Sequence, residues 1–285
     1  MDEIKVNPPF PQSFKDRQPD TDLIIVDLNR CWDANFFERF PKLKAVVSCT
    51  TGLDHIDTDY CREKGIKVIS LKGETDFLQD VYATAEHTWA LILSLIRKVP
   101  FAFDDVKRGN WDREKWQGCE LRGKTLGIVG YGRVGQQVYG IADAFGMDVL
   151  FHDKKYDFYS LDKVLKTSDI ITVHVPLDES TRGMFGAEQF AMMKPTSYFV
   201  NTSRGAIIQE DALLGALIEK KIAGAALDVV NDEPNIYHAL KMYIDWSDKH
   251  NLIITPHIAG NTAESREKTQ LFISHKIKEF ILGGG

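Results

Sequence analysis

Thr125-Leu-Gly-Ile-Val-Gly130-Tyr-Gly132-Arg-Val-Gly135 is the stretch on which the fold turns. Its first half, Leu126 to Val129, is an apolar run of strand length that ends directly in a glycine. Its second half opens a helical pattern in which Val134, Val138, Ile141, Ala142 and Phe145 recur at helix spacing. Strand, three glycines at this spacing and helix together form the phosphate-binding fingerprint of dinucleotide sites. Gly130 permits the tight turn, Gly132 lets backbone N–H groups approach a pyrophosphate, and Gly135 lets helix and strand pack closely, with the helix N-terminus facing the anion. A glycine-rich turn alone is a weak signal; the flanking strand and helix give it weight.

Immediately downstream, the next strand ends in Asp153, eighteen residues beyond Gly135. A carboxylate there accepts hydrogen bonds from both ribose hydroxyls, which favours NAD over NADP. Lys154 and Lys155 follow directly and soften that preference, because they attract a 2′-phosphate.

Around the fingerprint the chain alternates strands and helices. Strands are expected at Leu126 to Val129, Val149 to Phe151, Ile170 to Val175, Tyr198 to Val200, Gly224 to Leu227 and Leu252 to Thr255. Helices are expected from Val134, over Leu161 to Leu165 and over Asp211 to Lys220, with Lys220 and Lys221 in a last turn where the helix dipole favours cations. Such alternation gives an α/β fold with a doubly wound parallel sheet. Upstream, Leu23 to Val26, Ala45 to Ser48 and Lys67 to Ile69 alternate with helical stretches around Phe36 and from Asp59 to Lys64, a second, smaller α/β layer. Between the two, Val81 to Val99 reads as one long helix, apolar around most of its circumference and therefore covered on nearly all sides, by the core or by a second subunit. Thr262 to Leu282 reads as a closing amphipathic helix stopped by Gly283, Gly284 and Gly285.

The bulk properties narrow the function classes. The chain has 285 residues, enough for two domains, and a formal net charge of -6, which offers no basic stripe to nucleic acid. Four cysteines, Cys31, Cys49, Cys61 and Cys119, form no CxxC pair and read as buried thiols in a reducing compartment. No metal site is expected. With no apolar run of membrane-spanning length and no signal-like N-terminus, a cytoplasmic protein is expected.

Three further segments place polar residues at the C-terminal ends of expected strands, where ligands of open α/β sheets bind. They are Val200-Asn-Thr-Ser-Arg204-Gly, Leu227-Asp228-Val-Val-Asn-Asp-Glu233-Pro234 and Thr255-Pro256-His257-Ile-Ala-Gly260. Taken singly, each residue has an ordinary reading: a lone histidine is more often structural, and an Arg or Glu in a loop is usually solvated. Their chemistry nevertheless converges. An imidazole can give or take a proton near neutrality. A carboxylate beside it stabilises imidazolium and fixes the ring, and the planar guanidinium fork binds a carboxylate bidentately.

This order of Arg, Glu and His after the glycine-rich turn resembles the D-isomer-specific 2-hydroxyacid dehydrogenase family. Arg108-Gly-Asn-Trp111 and Glu120-Leu-Arg-Gly-Lys-Thr-Leu-Gly-Ile-Val-Gly130 are similar to its phosphoglycerate dehydrogenase branch. The resemblance implies a Rossmann NAD-binding domain over residues 83–259 and a smaller flavodoxin-like α/β substrate domain over residues 1–82 and 260–285. It also implies His257 as general acid/base, Glu233 as its partner and Arg204 as substrate anchor. Further implied cofactor contacts are Arg133 and Val134 at the pyrophosphate, His174, Val175 and Pro176 on the adenine side, Thr202, Ser203 and Arg204 beside the nicotinamide, Asp228 for the carboxamide, and His257 and Gly260 at the rim. His174 and Pro176 suit strand-end packing equally well.

On the substrate side, Cys49-Thr-Thr51-Gly52-Leu-Asp54-His-Ile-Asp57 and Ser70-Leu-Lys72-Gly73-Glu74 resemble the family's carboxylate-binding loops, which puts Thr51, Gly52, Lys72 and Gly73 at the substrate. An exposed lysine in such a loop is solvent-facing by default. The stretch from Gly73 to Glu86 is longer than in the phosphoglycerate branch and the region before Lys44 is shorter, so the identity of the acid stays open. No regulatory extension is expected after the last helix. The implied activity is reversible, NAD-dependent hydride transfer on a small D-2-hydroxy acid, D-3-phosphoglycerate among the candidates, by a homodimer joined through the nucleotide-binding domain. A nicotinamide-sensing binding protein of the same fold is the alternative, which the complete Arg, Glu and His set argues against. Formate dehydrogenase, a relative lacking the glutamate, fits less well.

Overall fold

A computed structural model of the chain describes residues 6–7, 20–156, 158–231, 233, 237–247 and 249–283. Its Cα packing divides the chain into two compact units, Met1–Leu78 with Ala263–Gly285, and Gln79–Thr262.

The smaller unit opens with β1 (Val6–Asn7), β2 (Leu23–Val26), α1 (Ala34–Phe37), β3 (Ala45–Ser48), α2 (Thr58–Glu63), β4 (Lys67–Ile69) and α3 (Thr75–Leu78). Its four strands are all parallel and run in sequence order. Asp33 and Asp57 cap α1 and α2 by accepting from the N–H groups of Phe36 and Tyr60, satisfying donors a helix start leaves unpaired. Against the sheet pack Trp32, Phe36, Phe37, Phe40 and Cys61.

In the larger unit the order is α4 (Ala83–Ile96), α5 (Val99–Lys107), β5 (Thr125–Val129), α6 (Arg133–Ala144), β6 (Asp148–His152), α7 (Leu161–Thr167), β7 (Ile170–Val173), α8 (Ala187–Met192), β8 (Tyr198–Asn201), α9 (Glu210–Ile218), β9 (Gly224–Leu227), α10 (Tyr237–Ser247) and β10 (Leu252–Ile254). The chain then returns to the smaller unit with α11 (Ala263–Leu282). Six parallel strands lie in the order β10-β9-β8-β7-β5-β6. The order reverses at β5, so the crevice beyond the C-terminal ends of β5 and β7 is the switch point where open α/β sheets bind ligands. Both faces are covered, as a parallel sheet requires. One face buries Val129, Ile171, Phe199 and Leu227 against Phe185, Phe190, Leu213 and Leu217. Its opposite buries Leu126, Ile128, Ile170, Val200 and Ala226 against Trp89, Ile92 and Leu95 of α4 and Val138 and Ala142 of α6. Neighbouring residues Phe199 and Val200 thus face opposite layers, the period of two that a strand dictates.

Several expectations need correction. The helix read from Val81 to Val99 is two helices, broken at Lys98, whose φ of 53° is left-handed. Within one chain, Ala90 and Leu93 of α4 are exposed, and with Val99, Phe103 and Val106 of α5 they form an apolar surface. Lys220 and Lys221 lie beyond α9 rather than in its last turn, because Lys220 turns left-handed at φ 56°. Strands β7 and β10 stop at Val173 and Ile254, short of the expected Val175 and Thr255. Of the cysteines only Cys61 is buried; Cys31 and Cys119 are exposed and Cys49 is intermediate. Gly284 and Gly285 lie outside the described residues, as do Asp232 and Pro234 of the β9 loop. No described helix is long and apolar enough to cross a membrane, and no described cluster of His, Cys, Asp or Glu has a metal-holding arrangement.

Candidate active site

At the end of β5 the three glycines have three different surroundings. Gly130 is left-handed at φ 98°, and a Cβ on it would lie 2.7 Å from the backbone of His174 and Val175. A Cβ on Gly135 would sit 2.2 Å from the carbonyl oxygen of Gly130, so helix and turn touch backbone to backbone. Gly132, the N-cap of α6, has nothing within 4 Å of its would-be Cβ, and no side chain caps the helix. A twelve-residue helix therefore presents uncapped N–H groups beside an open space, which is what a pyrophosphate needs. The residues present fit a dinucleotide.

Around that turn the expected contacts are placed as follows. Asp153 sits at the end of β6, next to β5, and its carboxylate accepts from Tyr131 N at 2.7 Å and Lys155 N at 2.8 Å. It is half-buried and retains lone pairs for ribose hydroxyls. Lys154 is engaged by the Ser180 hydroxyl, and Lys155 lies 5.7 Å from the Tyr156 ring. Arg133 does not simply face the turn: its Nη1 donates to the Val81 carbonyl at 2.7 Å, and burial lowers the guanidinium pKa. Val134 is half-buried in the first turn of α6. Desolvation pushes His174 down to about 3, so the ring is neutral, and its enclosed Nε2 has no hydrogen-bond partner among the described residues. Val175 accepts the Ser203 hydroxyl at its carbonyl, and Pro176 is exposed with its carbonyl accepting from Thr181.

The other three loops follow β8, β9 and β10, which are neighbours in the sheet, and this adjacency gathers Arg204, Glu233 and His257 at one end of it. After β8, buried Asn201 shapes the loop: its amide nitrogen donates to Arg204 O at 2.9 Å and its oxygen accepts from Ser203 N at 2.9 Å. Thr202 is buried, its hydroxyl 2.9 Å from that of Thr88 on α4. Gly205 lies so close to Val230 that a Cβ would fall 2.0 Å from the Val230 carbonyl carbon, which locks the Arg204 loop onto the loop after β9. In that second loop Glu233 accepts from Val230 N at 2.7 Å through Oε1 and faces His257 Nδ1 at 2.5 Å through Oε2. A carboxylate held at both oxygens orients the imidazole and leaves its Nε2 free to exchange a proton with a ligand.

His257 itself sits at φ 53°, in the left-handed region. For a residue with a Cβ that costs about 1–2 kcal/mol, although His is among the residues more often found there. The compensation comes from Asp228, whose side chain is fully enclosed. Its backbone carbonyl accepts from His257 N at 2.8 Å, and its carboxylate accepts from Ile258 N at 2.9 Å, Ala259 N at 2.8 Å and Thr255 Oγ1 at 2.6 Å. Hydrogen bonds to an ionised group contribute about 1.5–3 kcal/mol each, so the brace outweighs the strain. Burial alone would raise the Asp228 pKa; contacts from His87, Thr255, Ile258 and Ala259 more than reverse this and hold it below the ordinary value. The position expected to read a carboxamide thus also organises the histidine loop. Gly260 is exposed with open space around it.

In the smaller unit the two expected substrate loops follow β3 and β4 at the C-terminal edge of its sheet. Thr51 is exposed and Gly52 half-buried; the neighbouring Thr50 hydroxyl ties the loop to Gly52 O at 2.7 Å and to Ser48, which in turn lies 3.3 Å from His55 Nε2. Lys72 is exposed and Gly73 is left-handed at φ 88°. Lys276 of α11 holds this second loop through Ser70 O and Glu74. Motif reading did not single out Asn201, Gly205, Thr88 and His87; for the two α4 residues the available signal was a polar pair inside an otherwise apolar helix.

Residues 89–259 match the sequence profile described as D-isomer specific 2-hydroxyacid dehydrogenase, NAD binding domain. A glyoxylate reductase of Aeropyrum pernix is 35% identical over 297 residues, covering 98% of this chain and 85% of the relative. A D-3-phosphoglycerate dehydrogenase of Methanocaldococcus jannaschii is 36% identical over 275 residues, covering 93% of this chain; the chain spans only 50% of that relative's length. Among solved structures, D-lactate dehydrogenase from Aquifex aeolicus complexed with NAD and lactic acid aligns with a TM-score of 0.81 at 34% identity, covering 93% of this chain and 84% of that one.

Proposed function

The chain belongs to the D-isomer-specific 2-hydroxyacid dehydrogenase family, and from that premise we propose that it is an NAD-dependent oxidoreductase interconverting a small D-2-hydroxy acid and its 2-oxo acid. The observation that carries the reading is the Glu233–His257 pair, 2.5 Å apart at the C-terminal end of the sheet, in a loop braced by Asp228. The cofactor, when bound, supplies or accepts the hydride. Gly132, the first turn of α6 and Asp153 hold its pyrophosphate and ribose; Val175, Pro176, Ser203 and Gly260 border it. Arg204 takes the substrate carboxylate in a bidentate grip. His257 gives a proton from Nε2 to the carbonyl oxygen during reduction and takes it back during oxidation, while Glu233 keeps imidazolium oriented. Thr51, Gly52, Lys72 and Gly73 are the smaller unit's candidates for binding the acid, and D-3-phosphoglycerate is the first substrate to try. A second copy of the chain covers the exposed Leu93, Val99, Phe103 and Val106 surface.

The experiment is a screen of 3-phosphoglycerate, glycerate, lactate, glyoxylate and hydroxypyruvate with NAD(H), followed by nicotinamide absorbance. Turnover of at least one acid is expected. Saturable NADH binding with no turnover of any of them would replace the enzyme with a nicotinamide sensor.

A further inference from the structure

His87 projects from α4 toward the buried end of the histidine loop, with its side chain 18% exposed. Its Nε2 lies 3.1 Å from Thr255 Oγ1 and 3.3 Å from Asp228 Oδ1. The Thr255 hydroxyl already gives its hydrogen to Asp228 Oδ1, at 2.6 Å. Both oxygens facing Nε2 are therefore acceptors, and Nε2 carries a hydrogen directed at them. Asp228 in turn receives Ile258 N and Ala259 N, the two amides directly after His257. A chain of contacts thus runs from the core helix to the backbone that presents the catalytic imidazole. Without the His87 donor, the enclosed Asp228 carboxylate loses one partner and is released to swing away from the two amides.

We propose that His87 is a positioning residue for the reaction assigned above: by fixing Asp228 and Thr255 from α4, it holds His257 in the left-handed conformation that aligns it with Glu233. This rests on the catalytic reading of His257, but the placement it describes is measurable without activity.

The test compares His87→Leu, which removes the donor, with His87→Gln, whose amide nitrogen can occupy the place of Nε2. Should the leucine variant fail to fold, His87→Phe keeps the ring volume without a donor. Amide hydrogen exchange at Ile258 and Ala259 is read in cofactor-free protein, and kcat, KM and the pH profile are read with whichever acid the wild type turns over. Loss of the donor is expected to speed exchange at both amides about tenfold or more and to lower kcat by a similar factor. KM is expected to change far less, and the limb of the pH profile that reports the His257–Glu233 pair to move. His87→Gln is expected to restore exchange, kcat and pH profile most of the way. Unchanged exchange without the donor, or equal impairment by Gln and Leu, would overturn the proposal. If the wild type reduces no acid, the catalytic reading fails on its own, while the exchange comparison still decides whether His87 holds the loop.

Discussion

Gly130 and His257 occupy comparable places in the larger unit. Each follows a parallel strand at its C-terminal end, and each turns the chain left-handed, at φ 98° and φ 53°. At Gly130 the conformation is nearly free, since no Cβ exists to clash. At His257 it is strained, and an enclosed carboxylate with several donors holds it. The difference follows from what each site offers a ligand. In the glycine turn the proposed recognition is by backbone, for which missing side chains suffice. In the histidine loop the proposed chemistry belongs to a side chain, and the backbone under it is tied down by Asp228 of the loop after β9 and, through it, by His87 of α4.

Substitutions within the turn break this comparison most strongly. Gly135→Ala places a methyl 2.2 Å from Gly130 O, against backbone that has nowhere to go. It is expected to destabilise the unit by about 1–3 kcal/mol and to abolish saturable NADH binding. Gly132→Ala meets nothing within 4 Å, so it is expected to unfold at the wild-type urea midpoint and yet bind NADH more weakly. Equal stability losses in both would mean that the open space at Gly132 is not reserved for a ligand.

A smaller effect is expected at Asp153, whose carboxylate is the one proposed for the ribose. Asp153→Ala should lower NAD affinity about tenfold, the scale of one or two charge-assisted hydrogen bonds, with NADP affinity falling less. Fluorescence titration of both reduced cofactors measures the ratio, and an unchanged ratio would remove Asp153 from the ribose.

A further effect concerns acid stability. His174 is held neutral down to about 3 against an ordinary value of 6.5, through burial. Between those values the unfolded chain binds a proton that the folded one does not, so stability rises with pH across the window and falls on acidification. Asp228 acts in the same sense, but its depressed folded pKa, with an ordinary value of 3.8, confines its loss to more acid solution. Urea midpoints between pH 6.5 and about 4 should therefore be flatter in His174→Gln than in wild type. An unchanged slope would place the acid sensitivity elsewhere.

Much of this was legible in residue order. The strands Leu23–Val26, Ala45–Ser48 and Lys67–Ile69 follow from β-rich runs, and the glycine turn from its flanks. The Arg204, Glu233 and His257 positions could be named because each lies in a loop that follows a strand, and neighbouring strands bring such loops to the same edge of the sheet. What could not be read depends on partners distant in sequence. His87 and Thr88 look like ordinary polar residues in an apolar helix until Asp228, Thr255 and Thr202 come to rest beside them. The break at Lys98 escaped periodicity because apolar residues continue on both sides of it.

His257 is the group proposed to move the proton, and its replacement by alanine tests that most directly. With the acid that the wild type turns over best, His257→Ala is expected to lower kcat by about 100- to 10,000-fold while NADH affinity stays near the wild-type value. A variant that keeps wild-type turnover would contradict it.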